Sequence, residues 1–300
     1  MSSSSRFEVS TGAPVRRVGE GRSGLLGVLR RLQLLDRLLG WTPVELVASV
    51  RRVSRHLTPA RRYALRELTR TKGTAVYRLR GSGVRVALRH GTPDVWTFNE
   101  LFELRLYEPP RAVAELLDSL PRPLRVVDLG ANIGLYGALV RTREPDASIV
   151  SFEPDPANLI LLRACLQMNA ALGEWQLVPA CAAARDGAVR FSALGDPGSR
   201  VTDDPARPGA VQVEARDVFP FLEGVDLLKV DIEGSEWELL ADERFGEPGV
   251  VVLEYHPFGC PDGDPHVEVD RLLARAGYEL EPVYRAPDGS GMLWAWKRAA

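Results

Sequence analysis

Three short stretches of this 300-residue chain set carboxylates at the ends of apolar runs, each beside a residue that favours a turn. Val126 to Gly134 reads VVDLGANIG: two valines, Asp128, then the spacing Gly130-x-Asn132-x-Gly134. Gly130 lets a strand turn without a Cβ clash, and a helix that follows points free N–H groups and the positive end of its dipole into the crevice. Such a turn suits a nucleotide cofactor, although it lacks the G-x-G-x-x-G spacing that seats a dinucleotide pyrophosphate. Val150 to Asn158, VSFEPDPAN, ends a second run on Glu153, where an α/β nucleotide site sets a carboxylate against ribose hydroxyls. Asp226 to Glu236, DLLKVDIEGSE, ends a third on Asp231 and Glu233.

The chemistry follows from the residue types. A carboxylate at Glu153 can accept two ribose O–H bonds, and a carboxylate at Asp128 facing the same crevice suits a cation such as an amino-acid ammonium. S-adenosylmethionine offers both groups, whereas the pyrophosphate of a nicotinamide dinucleotide would be repelled by Asp128. Methyl transfer to a hydroxyl needs in-line approach and removal of the hydroxyl proton, which Asp231 or Glu233 could accept. Glu254 and His256, closing the next apolar run, could act as base or hold the acceptor. The set Asp231, Glu233, Glu254 and His256 could also furnish ligands for Mg²⁺ or Mn²⁺, but its spacing matches no metal motif and no metal is assigned. Glu236 sits where a helix's first turn favours acids, and Ser235 with Glu238 forms a capping box. Lys229 extends a buried strand and is one of three lysines in an arginine-rich chain. Upstream, Asp94 and Tyr107 are carried as contacts at the cofactor's edge.

These residues require strands that alternate with helices. Strands are expected over 124–129, 148–153, 176–180, 225–230 and 250–255, with helices over 134–143, 156–172, 235–242 and 266–276. That alternation implies a parallel sheet with right-handed crossovers and a crevice at the carboxyl ends of the strands. Two last strands, 278–284 and 292–297, lie close enough in sequence to pair antiparallel. A polar hairpin is expected around Asp186-Gly187, followed by a flexible stretch over 194–209 of the kind that covers sites. Before the sheet, 75–79 and 84–88 flank Gly81-Ser82-Gly83 as a β-hairpin, and basic amphipathic helices are expected over 25–39 and 44–56. Pro121-Arg122-Pro123 interrupts helix and strand alike. The division is therefore a flexible tail (1–23), a helical and hairpin extension (24–120) and an α/β catalytic domain (121–300).

Residues 1–75 carry 15 Lys+Arg against 5 Asp+Glu, net +10, and the remainder balances this to −2 overall. Arginine outnumbers lysine 35 to 3 throughout, so the basic first quarter reads as a solvated helical face rather than a nucleic-acid surface. Its helices could instead close a homodimer. Three cysteines with no C-x-x-C pairing indicate neither a disulfide framework nor a zinc site, and fit a reducing cytoplasm. No stretch has the apolar length of a membrane span or the pattern of a secretory leader.

In combination, VVDLGANIG, VSFEPDPAN and DLLKVDIEGSE resemble the FkbM-type family of S-adenosylmethionine-dependent methyltransferases. The helix end near Asn169, Asp217, Val252-Leu253-Glu254 and the segment 89–107 are similar too, so the likeness runs over about 75–297. It implies a Rossmann-like class I methyltransferase sheet, mostly parallel with an antiparallel C-terminal strand. It also implies that Asp128, Gly130, Asn132 and Gly134 surround the methionine moiety, with Glu153, and Asn158 in the same motif, toward the ribose. Such enzymes methylate hydroxyls of small molecules, natural products or sugars. The resemblance supplies no catalytic base, so Asp231, Glu233 and His256 rest on the residues alone. Methyl transfer to a small amine, a nicotinamide-dependent oxidoreductase and a non-catalytic binding module are the alternatives.

Overall fold

The computed structural model describes residues 43–195, 199–261 and 263–297, all within one compact unit. The expected tail, the helix over 25–39 and its dimer contacts lie outside the described residues. The described chain opens with α1 (Pro43–Ser54), β1 (Leu57–Thr58), α2 (Ala60–Leu68) and the hairpin β2 (Gly73–Leu79) and β3 (Arg85–His90). A short helix α3 (Asp94–Phe98) runs into a π-helical turn, Asn99–Glu103, and α4 (Arg111–Ser119) leads into the main sheet.

There, β4 (Arg125–Leu129), α5 (Leu135–Arg143), β5 (Ser148–Phe152), α6 (Pro156–Met168) and β6 (Trp175–Val178) form one half. A side sheet follows, made of β7 (Cys181–Ala183), β8 (Gly187–Ser192), β9 (Arg200–Val201) and β10 (Ala210–Asp217). After α7 (Phe219–Leu222) the second half is β11 (Leu227–Val230), α8 (Glu236–Ala241), β12 (Val250–Tyr255), α9 (Pro265–Arg275), β13 (Glu279–Arg285) and β14 (Gly291–Trp296).

The seven-stranded order is β13-β14-β12-β11-β4-β5-β6. Every pairing from β12 to β6 is parallel, and β14 runs antiparallel to both its neighbours. The order reverses between β11 and β4, so the two chain halves diverge there and leave the crevice that α/β sheets use for ligands. This is the class I methyltransferase arrangement expected from the motifs.

Local chemistry explains the elements. LLKV in β11 and VVVLEY in β12 are buried on both faces, as continuous apolar runs in parallel strands should be. Val127, Leu129, Leu228, Val230, Val251 and Leu253 face a core built with Trp237, Leu240, Val269, Leu272 and Leu273. Asp128 and Lys229 alternate to the other face, and the β4–β11 register sets them directly opposite one another. Asp155 caps α6 by accepting the Ala157 N–H at 2.8 Å, and Asp264 caps α9 the same way through His266. Helix α5 has no polar face over Leu135 to Arg141 because the N-terminal hairpin and π-helical turn pack against it.

At the hairpin, one carboxamide ties the extension to the sheet. Asn169, just past α6, accepts the Arg85 N–H at 2.9 Å and donates to the Arg85 carbonyl at 2.8 Å, treating β3 as a neighbouring strand would. Within the extension, the buried His90 bridges the Tyr77 hydroxyl (2.6 Å) and Glu67 (2.5 Å), fastening α2 to the hairpin.

One expectation needs correction. The turn at Asp186-Gly187 does not join paired strands, because β10 lies between β7 and β8 in the order β7-β10-β8-β9. The longer β10 pairs with β8 from Ala210 to Ala215 on one edge and with β7 on the other, so both short strands find a partner in it. Within 194–209 the structure describes β9, and Asp155 Oδ2 accepts the Gly195 N–H at 2.8 Å and the Ser199 hydroxyl at 2.9 Å.

Asn169→Ala removes two part-buried hydrogen bonds to the β3 backbone, which costs roughly 1–3 kcal/mol. Urea unfolding should show that loss; an unchanged midpoint would mean the carboxamide does not hold the extension.

Candidate active site

The glycine turn after β4 lies against the turn after β11. Gly130 has φ +78°, and a Cβ there would overlap the Asp231 carbonyl oxygen, so no other residue fits. Asn132 follows in the left-handed region at φ +51°, which asparagine tolerates better than most side chains. Glu153, at the end of β5, closes this turn. Its Oε2 accepts the Asn132 N–H at 2.7 Å and its Oε1 the Asp155 N–H at 2.8 Å, with Asn158 Nδ2 at 3.5 Å. Burial, working against those hydrogen bonds, lifts its pKa to about 7.

A nucleoside donor fits the cradle. Glu153 Oε2 carries one backbone bond and keeps acceptor capacity, and the long 3.5 Å Asn158 contact on Oε1 can yield to a second ribose hydroxyl. The buried Asn132 Oδ1 has no hydrogen-bond partner. Gly134 then starts α5, whose first N–H groups face the same turn.

The other sequence candidates on this side sit one step back. Asp94 is 2 % exposed and binds Arg89 through Nε at 2.8 Å and Nη2 at 2.7 Å. The same Nη2 donates to Asn158 Oδ1 at 2.8 Å. Asp94 therefore reaches Glu153 only through Arg89 and Asn158. Tyr107 lies on the opposite side, tilted against the Tyr136 ring, with its hydroxyl 3.5 Å from Glu254 Oε2. Burial and the charges of Asp231 and Glu254 push its phenol well above the ordinary value.

Asp128 meets the chain's own cation. It is fully buried, and Lys229 Nζ stands 3.4 Å from its Oδ1. The same ammonium donates to the carbonyls of Gly130 at 2.7 Å and Leu129 at 3.2 Å, and lies 3.5 Å from Asp231 Oδ2. Burial opposes the charge on Lys229, but Asp231 and Asp128 outweigh it and its pKa is raised. Burial raises Asp128, with Lys229 pulling it back down. Sequence reasoning gave Lys229 a small role; its rarity and its place in a buried strand were the available signal.

Beyond Lys229 the acids gather. Glu233 has φ +54°, a left-handed backbone for a non-glycine residue, and Gly234 follows at φ +100° with the Phe258 ring packed where a Cβ would stand. Glu233 Oε2 lies 3.4 Å from His256 Nε2, and ligand atoms of Asp231, Glu233 and His256 fall within 4.8 Å of one another. Burial, then the neighbouring carboxylates Asp231, Glu254 and Glu236, lift Glu233 to about 8 against the opposing pull of His256. Burial alone would lower His256, but Glu236 and Glu233 raise it to about 10. With an ammonium and an imidazolium already serving these acids, we assign no metal. Glu254 is held by the Tyr284 hydroxyl at 2.6 Å. Sequence reasoning missed Glu236 because the start of a helix already explains an acid there; in the structure it is fully buried under His256.

The family model of the methyltransferase FkbM domain matches residues 128–280, just over half of the chain. Methyltransferase sdnD of Sordaria araneosa is 28 % identical over 219 residues, covering 59 % of this chain and 83 % of that protein. Among solved structures, an S-adenosylmethionine-dependent methyltransferase from Agrobacterium tumefaciens overlaps at TM-score 0.43 and 11 % identity, over 75 % of this chain and 70 % of that one. M. jannaschii TYW2 in complex with AdoMet overlaps at TM-score 0.40 and 11 % identity, over 76 % and 88 %. These overlaps are loose, and the fold rests on the strand order itself. The chain belongs to the FkbM methyltransferase family and is an S-adenosylmethionine-dependent methyltransferase.

Removing Lys229 leaves buried carboxylate charge uncompensated. Lys229→Met should cost about 3–5 kcal/mol in chemical unfolding, and adding Asp128→Asn should recover part of it. If the double variant is no more stable than the single, the two side chains are not coupled.

Proposed function

We propose that this FkbM-family methyltransferase is an O-methyltransferase that acts on a hydroxyl of a small molecule, natural product or sugar. The observation that carries the proposal is the pair of half-buried carboxylates, Asp231 and Glu233, at the end of β11, directly across the switch point from the glycine turn.

Bound S-adenosylmethionine supplies an electrophilic sulfonium methyl group. The chain's residues divide the remaining work. Gly130, Asn132 and Gly134 receive the methionine portion, and Glu153, steadied by Asn158, accepts the ribose hydroxyls. Asp128 supports this turn from beneath through Lys229 instead of touching the donor. Asp94 steadies Asn158 through Arg89, and Tyr107 holds Glu254 at the acceptor side.

On the acceptor side Asp231 is committed to Lys229 by one oxygen and orients the hydroxyl with the other. Glu233 takes the hydroxyl proton as the methyl is transferred. A carboxylate lifted to about 8 is a stronger base than an ordinary one and is still ionised in part near neutrality. Its side chain is 23 % exposed, which lets the proton leave to water. His256 stands behind Glu233 and contributes its charge.

Four measurements test this reading. Glu153→Ala removes two charge-assisted bonds to ribose and should weaken S-adenosylhomocysteine binding at least tenfold by calorimetry, each such bond being worth roughly 1.5–3 kcal/mol; equal affinity would remove Glu153 from the donor site. Glu233→Gln should leave that affinity within about threefold and lower kcat by roughly 10²-fold or more, the usual contribution of a general base. The ionised form of Glu233 is the active one, so kcat should rise with pH through about 8 in the unaltered enzyme. Finally, ¹³C-methyl-labelled S-adenosylmethionine incubated with extract of the source organism should give a methoxy signal, whereas an N-methyl signal would move the acceptor to an amine.

A further inference from the structure

We infer that Glu236 is a positioning residue that fixes His256 with Nε2 turned to Glu233, so that His256 guards the charge on Glu233 and is not itself the proton acceptor. This rests on the reading of Glu233 as the base.

Glu236 is the first residue of α8, a position where an exposed acid would already gain from the helix dipole. It is instead fully buried, and a buried carboxylate is strongly disfavoured unless its oxygens are met. Both are met by the site. Oε1 accepts the His256 backbone N–H at 2.6 Å and lies 3.1 Å from the ring Nδ1. Oε2 accepts the Gly234 N–H at 2.7 Å. One side chain thus ties the turn that presents Asp231 and Glu233 to the end of β12 that presents His256.

The ring is held on its other sides as well. Trp237 Nε1 donates to the His256 carbonyl at 2.9 Å, and the Phe258 ring lies 5.3 Å away, carrying the Arg200 guanidinium on its outer face at 4.6 Å. With Nδ1 engaged by Glu236, only Nε2 is left to face Glu233, at 3.4 Å. The groups around the ring are Asp231 and Glu233 from the turn after β11, Glu236 from α8 and Glu254 from β12, against Lys229 beyond Asp231 and Arg200 beyond Phe258. Acids dominate at close range, and the ring keeps its second proton at neutral pH. An imidazolium has no lone pair with which to accept the acceptor's proton. What it does is favour the charged form of Glu233 against the burial that opposes it.

The test is an NMR titration of ¹⁵N-labelled histidine rings in the full chain, paired with kcat–pH profiles. In the unaltered protein His256 should remain doubly protonated through pH 8 and titrate near 10. In Glu236→Gln it should titrate at least two units lower; because the His256 charge acts on Glu233 more strongly than the Glu236 charge that opposes it, the rising limb of kcat should still move up, by about one unit, and kcat below that limb should fall about tenfold, since one unit is tenfold in ionised fraction. S-adenosylhomocysteine affinity should stay unchanged, and raising the pH should restore turnover. His256→Gln, which leaves Glu236 buried, should move the limb in the same direction. A His256 that titrates near 6.5 in the unaltered protein overturns the inference. So does a Glu236→Gln enzyme slowed equally at every pH, or a His256→Gln enzyme that is inactive at every pH, which would make the ring the base. Normal turnover in Glu233→Gln would instead sink the choice of base, and the ring titration separates that failure from this one.

Discussion

One buried ammonium holds the two halves of this sheet in working relation. Lys229 sits where β11 and β4 part and bonds to the carbonyls of Leu129 and Gly130 as well as facing Asp128 and Asp231. An ammonium so deeply buried is costly alone, and two carboxylates in the same place would be costlier without it. Together they fix the distance between the glycine turn and the acidic turn. The steric limit at Gly130, whose missing Cβ leaves room for the Asp231 carbonyl, is the packing side of the same constraint.

Around that centre the chain uses one device twice. Glu153 spends its two oxygens on the backbone N–H groups of Asn132 and Asp155, closing the glycine turn onto the end of β5. Glu236 spends its two on Gly234 and His256, closing the acidic turn onto the end of β12. In each case a buried carboxylate joins a glycine-bearing loop to the next strand end, so that loop conformation, which sequence leaves loose, becomes rigid. The difference lies in what remains. Glu153 Oε2 carries a single backbone bond and is the oxygen proposed to meet the donor, whereas Glu236 is fully buried with both oxygens engaged, one of them by His256. Asp155 extends the first clamp outward by tying the stretch around Gly195 and Ser199 to the start of α6.

Much of this architecture was legible in the residues. Period and punctuation located the strands of the main sheet, because runs such as VVVLEY admit no other burial, and the three motifs placed Glu153, Asp231 and Glu233 at strand ends. Three features were not legible, each for a physical reason. The partner of Asp128 is a residue on a neighbouring strand, a register that only the folded sheet defines, so an external ammonium was expected where Lys229 stands. Glu236 had a sufficient local explanation as an acid in a helix's first turn, and nothing local reports that it is buried. The side sheet went wrong because Asp186-Gly187 carries hairpin chemistry while the longer β10 offers both neighbouring strands a better partner. Asp94 and Tyr107 were expected at the cofactor's edge; the fold pairs Asp94 with Arg89 and Tyr107 with Glu254, partners that no sequence spacing reports.

The central claim is that the glycine turn and the acidic turn form one two-sided site, with the donor on the Glu153 side and its reactive end toward Asp231 and Glu233. A crystal structure with S-adenosylhomocysteine tests it most directly. The account predicts both ribose hydroxyls within hydrogen-bond distance of Glu153, the amino-acid end along Gly130 to Gly134, and the sulfur facing the gap before Asp231 and Glu233, with Lys229 still on Asp128. A ribose held away from Glu153, or a sulfur turned from the acidic turn, would contradict it.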